Sequence, residues 1–441
     1  MRMIKLLIIT VAMFVVSAKA QEISPWLFGQ NHWMDKSDEG KRPGYIYMLW
    51  PKVKESGIKT VRIGGGGYNR RLPNPEKLSA IIDSIQGIGA EPILQVPSRY
   101  TAEEATKLVK YFNKSKRKPI KYWSIGNEPL LHDRDGIQKV YDYVMKLAPA
   151  MKAGDPTIKI LIFDECDLFE EPHKRVISGD LDLTGKDENG NWIVDGIAFH
   201  RYPNISLGFD REDVVFASIH DIRVRIIQLL QMMEKANKKH DRTGDAKLLW
   251  GLTEVNVSTS NPDREIAGYG NTSFLGGQFM AEIYGLGMEY GAFTIAPWCI
   301  SETDRIRTDF GYLGLPSEFY PRSSYYHTQM MALNMKGEFL PTQSSNSFVK
   351  TIGSKSDEEI CIMILNKDEV HDFDFDLFLN KDGHSGKPLV VHADVGLEIT
   401  ISDRIPNQTT MMFVLSKSGK IKKQYTYGLK HNLKYQPPEV K

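Results

Sequence analysis

Short apolar runs alternate with helix-period stripes through the first three quarters of the chain. Eight runs have the length and bounding turns of strands: Trp26–Asn31, Thr60–Ile63, Pro92–Val96, Tyr122–Ile125, Ile158–Phe163, Val194–Phe199, Leu248–Leu252 and Ala292–Ala296. Between them apolar residues recur at helical spacing. Leu78, Ile81, Ile82 and Ile85 form one stripe, and Val140, Val144, Leu147 and Met151 another. Ile219, Ile222, Ile226, Leu230 and Met233 form a third, and Phe279, Ile283 and Leu286 a fourth. The link after the fifth run is irregular and predicts only a short helix. Strands joined by helical crossovers pair in parallel, with the crossovers covering the sheet. Eight such units predict an α/β fold, a closed (β/α)8 TIM barrel. A doubly wound open sheet would carry a glycine-rich phosphate turn after its first strand. No such turn follows Trp26–Asn31; the run Gly64–Gly67 follows the second strand and reads as a tight turn.

The pattern changes near Leu340. Cys361–Leu365, Phe373–Leu377, Leu389–Val391, Leu397–Ile401 and Met411–Leu415 are short, and Phe373–Leu377 alternates with period two. Such runs, separated by Gly, Asp, Asn and Pro, predict a small all-β, antiparallel sandwich. The stretch from Lys420 is rich in Lys and Tyr, with Pro437-Pro438 near its end, and reads as a loosely packed basic tail. At the other end, Arg2 and Lys5 precede the uncharged run Leu6–Val16, followed by Ala18-Lys19-Ala20. This is secretory signal architecture. The apolar run is shorter than the ~20 residues a bilayer-spanning helix needs. The expected organisation is a signal peptide at 1–20, a barrel at 21–336, a sandwich at 337–420 and a tail at 421–441. The mature chain would begin near Gln21, without a membrane span, in the periplasm or medium.

Composition narrows the function classes. Lys+Arg (56) and Asp+Glu (55) nearly cancel, so a basic face for nucleic acid is not expected. Cys166, Cys299 and Cys361 are few for an exported chain and odd in number. They are expected to be free, buried thiols rather than a disulfide framework.

In a barrel, chemistry belongs at the C-terminal tips of the strands. The fourth ends Trp123-Ser124-Ile125-Gly126-Asn127-Glu128-Pro129, and the seventh ends Trp250-Gly251-Leu252-Thr253-Glu254-Val255-Asn256. Strands four and seven stand on opposite sides of an eight-stranded barrel, so Glu128 and Glu254 face each other across the mouth. Two carboxylates, one protonated to donate and one ionised to attack, suit double displacement at an anomeric carbon. Other tips supply a supporting set. Arg62 ends the second strand and can keep a carboxylate ionised. His200 and Tyr202 lie two apart on the sixth, and so share a face. Trp298 on the eighth can form a floor under a sugar ring. Asn127, His32, Trp33, Tyr68, Asn69, Arg99 and Tyr100 are further candidates for contacting substrate. Asp164 and Glu165 follow the fifth strand and read more readily as capping groups than as sugar ligands. With no His at ligand spacing beside them, neither metal nor cofactor is expected.

Together these residues resemble clan A, a large superfamily of retaining glycoside hydrolases. The likeness lies in Arg at strand two, Asn-Glu at strand four, His-x-Tyr at strand six, Glu at strand seven and Trp at strand eight. It covers roughly residues 26 to 335 and singles out the clan rather than one family. The following sandwich is similar to the C-terminal β-domain of several members. The resemblance implies Glu128 as acid/base and Glu254 as nucleophile, with Arg62, Asn127, His200, Tyr202 and Trp298 as supporting residues. It also implies an oligo- or polysaccharide partner of plant or microbial origin. On this reading Glu254 stays ionised through Arg62 and Tyr202, while Glu128 holds its proton to higher pH. A sugar-binding barrel without activity is the competing class, and would be marked by loss of either glutamate. An aldolase or phosphate-handling barrel would need a strand-tip Lys or a glycine-rich phosphate loop, and neither is found.

Overall fold

The computed structural model describes residues 21–32, 46–115, 119–133, 136–205, 208–259, 265–302, 309–314 and 320–441. Residues 1–20, expected to be a signal peptide, and Trp33 lie outside these residues. The chain opens with β1 (Gly29–His32), α1 (Ile46–Glu55), β2 (Thr60–Ile63), α2 (Gly66–Arg70), α3 (Pro75–Gly87), β3 (Glu91–Val96), α4 (Ala102–Ser115) and β4 (Tyr122–Ile125). It continues with α5 (Ile137–Gly154), β5 (Lys159–Glu165), α6 (Glu170–Val176), β6 (Gly196–Arg201), α7 (Ser218–Lys239), β7 (Leu249–Val255), α8 (Phe274–Glu289), β8 (Thr294–Ile295) and α9 (Ser323–Asn334). Strands β1 to β8 pair in sequence order, all in parallel. A parallel bridge between Phe28 and Ile295 closes the ring. This is the (β/α)8 barrel.

Local signals set the helices. Asn74 caps α3 by accepting from the Lys77 amide, with Pro75 in the first turn. Thr101 and Glu104 cap α4 reciprocally. The stripes Leu78/Ile81/Ile82/Ile85 and Val140/Val144/Leu147/Met151 are buried against the sheet. In the lower barrel interior Ile93, Tyr122, Leu161, Ala198 and Phe293 form an apolar plug, with the Tyr122 and Phe293 rings 4.3 Å apart. The lower interior of the barrel is therefore packed with apolar side chains.

The remaining chain forms β9 (Glu338–Leu340), β10 (Thr342–Ser344), β11 (Val349–Lys355), β12 (Glu359–Asn366), β13 (Phe373–Phe378), β14 (Leu389–Ala393), β15 (Thr400–Ile405), β16 (Thr409–Ser416), β17 (Ile421–Gly428), α10 (Leu429–Asn432) and β18 (Glu439–Val440). One sheet runs β10-β14-β13-β15 and the other β18-β17-β16-β12-β11-β9. Two expectations are corrected. The sandwich is not wholly antiparallel: β13 and β14 pair in parallel, because the excursion 379–388 returns the chain to the same end. Residues 421–441 are not a loose basic tail. Their Lys/Tyr alternation is that of strand β17, which pairs along β16, and β18 pairs back onto β17.

The runs Cys361–Leu365 and Met411–Leu415 are continuously apolar because both faces of their sheet are covered. Ile360, Ile362, Ile364, Met411, Phe413 and Leu415 face the sandwich core. Cys361, Met363, Leu365, Met412 and Val414 join the barrel core. Helix α8 lies between the two, buried along its length from Phe274 to Met288. A buried ion pair joins Glu282 to Lys367. The Gln278 side-chain amide donates to the Asn366 carbonyl, and His327 Nε2 meets Thr410 Oγ1 at 2.8 Å.

Candidate active site

The tips of β2, β4, β5, β6 and β7 carry one buried ionic cluster. Arg62 is wholly enclosed, and its guanidinium donates to Asn31 (2.9 Å), Asn127 (2.7 Å), Asp164 (3.1 Å), Gln95 (3.3 Å) and Glu254 (3.3 Å). Tyr202 donates to the other oxygen of Glu254 at 2.7 Å. His200 Nδ1 lies 2.9 Å from Glu128, and 3.7 Å from Glu254. Its Nε2 stands 3.8 Å from Asp164, a charge contact too long for a hydrogen bond. One oxygen of Glu128 and one of Glu254 fall within 4.8 Å of each other.

Backbone irregularities aim these groups. Pairing shifts by one residue between Phe163 and Glu165 on β5, and again where Phe199–His200 meets β7. Such bulges turn extra residues inward. Phe163 and Asp164 have φ of 83° and 40°, and Glu128 has φ 46°, in the left-handed region that non-glycine residues rarely occupy. The Glu128 amide is tied to the Asp164 carbonyl (2.8 Å), and the Leu130 amide to the Glu165 carboxylate (2.6 Å). The β5 tip thus clamps the loop that presents Glu128. Glycines make the space above Arg62. A Cβ at Gly64 would sit 2.6 Å from the guanidinium, and one at Gly65 2.7 Å from the Trp298 ring. Gly65 also has φ 100°.

The charges are unevenly compensated. Burial alone would lower His200, but Glu254, Asp164 and Glu128 outweigh it and raise it to about 9. Burial would raise Asp164, yet Arg62, His200 and Thr253 hold it well below the usual carboxylate range. Burial also pushes Glu128 up, and here the bond and charge of His200, with Arg62, bring it below its ordinary value. Glu254, the more deeply buried, is raised by burial and by Glu128 against His200, Arg62 and Tyr202. Of the two, Glu254 is thus shifted up and Glu128 down, the reverse of the order read from the sequence. Sequence spacing showed Arg62 and Tyr202 near the nucleophile position. It did not show that His200 would bond Glu128.

His32 and Tyr68 are buried and bonded to each other at 2.7 Å. They stand behind the cluster, and burial lowers His32 to about 4, leaving it neutral. Asn69 accepts from the Ser98 amide, Tyr100 is half-buried and Arg99 is exposed. Asp164, read as a capping group, is instead the third carboxylate of the cluster, and Thr253 donates to it. The signal available was its position directly after an apolar strand; the bulge that turns it inward left none. Sequence reading also missed Glu302. It accepts from Trp298 Nε1 (3.2 Å) and the Phe310 amide (2.8 Å), and burial raises it to about 7. The described residues hold no disulfide: Cys299 and Cys361 are buried free thiols, and Cys166 is half-buried.

A cavity of about 460 Å³ opens between Glu128 and Glu254, floored by Tyr202 and Trp298. Glu128, His200 and Glu254 also offer donor atoms close enough to share a cation. Two positive groups, Arg62 and the raised His200, already serve that position. Among the described residues no helix is long and apolar enough to cross a membrane.

No protein-family model and no curated protein matches the chain. Solved structures do. An α-L-arabinofuranosidase from Thermotoga maritima, in complex with arabinose, aligns at 13% identity with TM-score 0.62, covering 90% of this chain and 98% of that one. The family 51 arabinofuranosidase of Xanthomonas axonopodis pv. citri aligns at 12% and TM-score 0.65 over 90% and 97%. A Paenibacillus polymyxa xyloglucanase of glycoside hydrolase family 44 aligns at 12% and 0.61, again over 90% and 97%. At these identities the shared property is the fold: a (β/α)8 barrel followed by a β-domain.

Proposed function

We propose that the protein is a secreted retaining glycoside hydrolase, with Glu128 as acid/base and Glu254 as nucleophile. The observation that carries this is the approach of the two carboxylates to within 4.8 Å across the mouth. Retaining enzymes hold theirs about 5–5.5 Å apart, and inverting enzymes leave room for a water at about 6.5–9.5 Å. The charge balance agrees. Asp164, Glu128 and Glu254 face two cations, Arg62 and His200, which favours a proton on one of the three carboxyls. A double displacement needs one protonated and one ionised carboxyl.

Substrate redistributes the proton between the two carboxyls. The Glu128 side chain is 21% exposed and that of Glu254 12%. A bound glycoside covers the more open Glu128 and raises it by further desolvation. Glu254 has less water to lose and keeps its bonds from Arg62 and Tyr202. Glu254 then attacks the anomeric carbon while Glu128 passes its proton to the departing oxygen. The glycosyl ester neutralises Glu254, so Glu128 can next take a proton from the attacking water. Trp298 lies as an apolar platform beside the reacting centre, held by Glu302. Names of the structural neighbours, arabinofuranosidase and xyloglucanase, support a glycoside as substrate. The Arg2-to-Ala20 segment supports export.

A panel of chromogenic aryl glycosides tests the class, and NMR of the first-formed product tests the stereochemistry. Hydrolysis with retention is expected. Product of the opposite anomeric configuration overturns the double displacement, and silence across the panel overturns the enzyme.

A further inference from the structure

The catalytic cavity is lopsided. The loops after β4 and β5, which adjoin Glu128, present Leu131 and Phe169 to it, and Ile205 from the loop after β6 and Phe310 complete the apolar lining. Leu131 is 46% and Ile205 70% exposed, and both border this cavity rather than standing singly on the surface.

The polar groups on this wall are already committed elsewhere. Arg201 donates to Asp167 (3.0 Å) and Asp221 (2.7 Å), and Asp167 also receives Arg225. Thr259 Oγ1 donates to the Ile205 carbonyl at 3.2 Å, and the Cys166 thiol bonds Glu165. A sugar needs hydrogen-bond partners for its hydroxyls as well as an apolar face to stack on. This wall offers the second and little of the first.

We propose that the leaving-group subsite accepts an apolar aglycone, aromatic or alkyl, rather than a second sugar. This inference rests on the assignment of Glu128 as the acid, since the departing oxygen and its substituent lie on the acid's side. The substrate class is then a glycoside of an apolar alcohol or phenol. The proton from Glu128 goes to the glycosidic oxygen, which leaves as that alcohol.

A homologous series of alkyl 1-thioglycosides, methyl to hexyl, separates aglycone binding from turnover because the sulfur link resists hydrolysis. Titration calorimetry, run on the full chain with arabinosyl, xylosyl and glucosyl heads, reads Kd. Full burial of a methylene predicts about a threefold to fourfold fall in Kd per carbon, with a negative heat-capacity change. Ile205→Asp and Leu131→Asp should each flatten that slope. Kd independent of chain length with every head, or no binding at all, overturns the proposal. So does a disaccharide cleaved with higher kcat/KM than any alkyl glycoside of its own head. A steep Kd series with no hydrolysis of the oxygen glycosides would instead leave the pocket standing and overturn the glycosidase.

Discussion

The two ends of the barrel each bury an ionic cluster, and they treat charge in opposite ways. At the N-terminal end, Asp195 precedes β6 and receives Lys152 (2.7 Å), Lys159 (3.1 Å) and the Ile160 amide (2.9 Å). Nearby Arg242 donates from each of its three nitrogens, to the Ala246, Thr184 and Val194 carbonyls. Here every charged group is hydrogen-bonded, with cations rather than carboxylates in excess. At the C-terminal end three carboxylates share two cations, His200 Nε2 lacks a hydrogen-bond partner, and the backbone at Glu128 and Asp164 is in the left-handed region. Satisfied charge holds the frame together, whereas unsatisfied charge is what a substrate can relieve. Barrels commonly divide stability and chemistry between their two faces in this way.

The sharpest break between the ends is expected from Glu254. Glu254→Ala should lower kcat/KM for every substrate by on the order of 10⁵-fold. Glu254→Gln should leave thermal stability unchanged or higher, because it removes one of three crowded carboxylates. A loss of stability there would erase the contrast. Glu128→Ala should cost about 10²–10⁴-fold on substrates with poor leaving groups and far less on activated aryl glycosides. Azide should restore activated turnover in Glu128→Ala with retained configuration, and give inverted product in Glu254→Gly. Rescue with these outcomes exchanged would swap the two roles.

The opposite cluster should answer in stability. Asp195→Asn leaves Lys152 buried beside a neutral group and should cost about 3–5 kcal/mol in denaturant unfolding. Its kcat per folded molecule should stay near that of the parent. A collapse of kcat with unchanged stability would contradict the division.

A smaller effect belongs to His200. Its value is raised in the folded state to about 9 from the ordinary 6.5. The stability it contributes is therefore complete below about pH 6.5 and is lost as pH rises through about 9. Comparing the parent with His200→Asn across that window, the parent alone should show this decline. Smallest is Glu302→Gln, which replaces one of two acceptor oxygens by a donor facing Trp298 or Phe310. A rise in KM of a few-fold with little change in kcat is expected.

The barrel was legible because its signals are periodic. Tyr122–Ile125 and Thr60–Ile63 match β4 and β2 to the residue. The tip residues were legible because position after an apolar strand fixes where a side chain goes. Legibility ended where the backbone departs from regularity. Asp164 reaches the cluster through a bulge, and Glu302 reaches Trp298 from a loop. The order of the two carboxyl titrations was misread for a related reason. It depends on which carboxylate His200 bonds, a matter of ångströms rather than of spacing. β17 was misread because its Lys-rich alternation marks a solvated strand as much as a tail.

Helix α8 gives the architecture a consequence for engineering. A barrel helix ordinarily shows water its outer face, but here the six-stranded sheet takes that place, with Gly285 set against Ile352 and Lys367 neutralising Glu282. Excising the sandwich would leave an apolar helix surface in solvent. The two halves are therefore not interchangeable cassettes: a chimera that keeps this barrel must also keep, or redesign, the sheet that completes it.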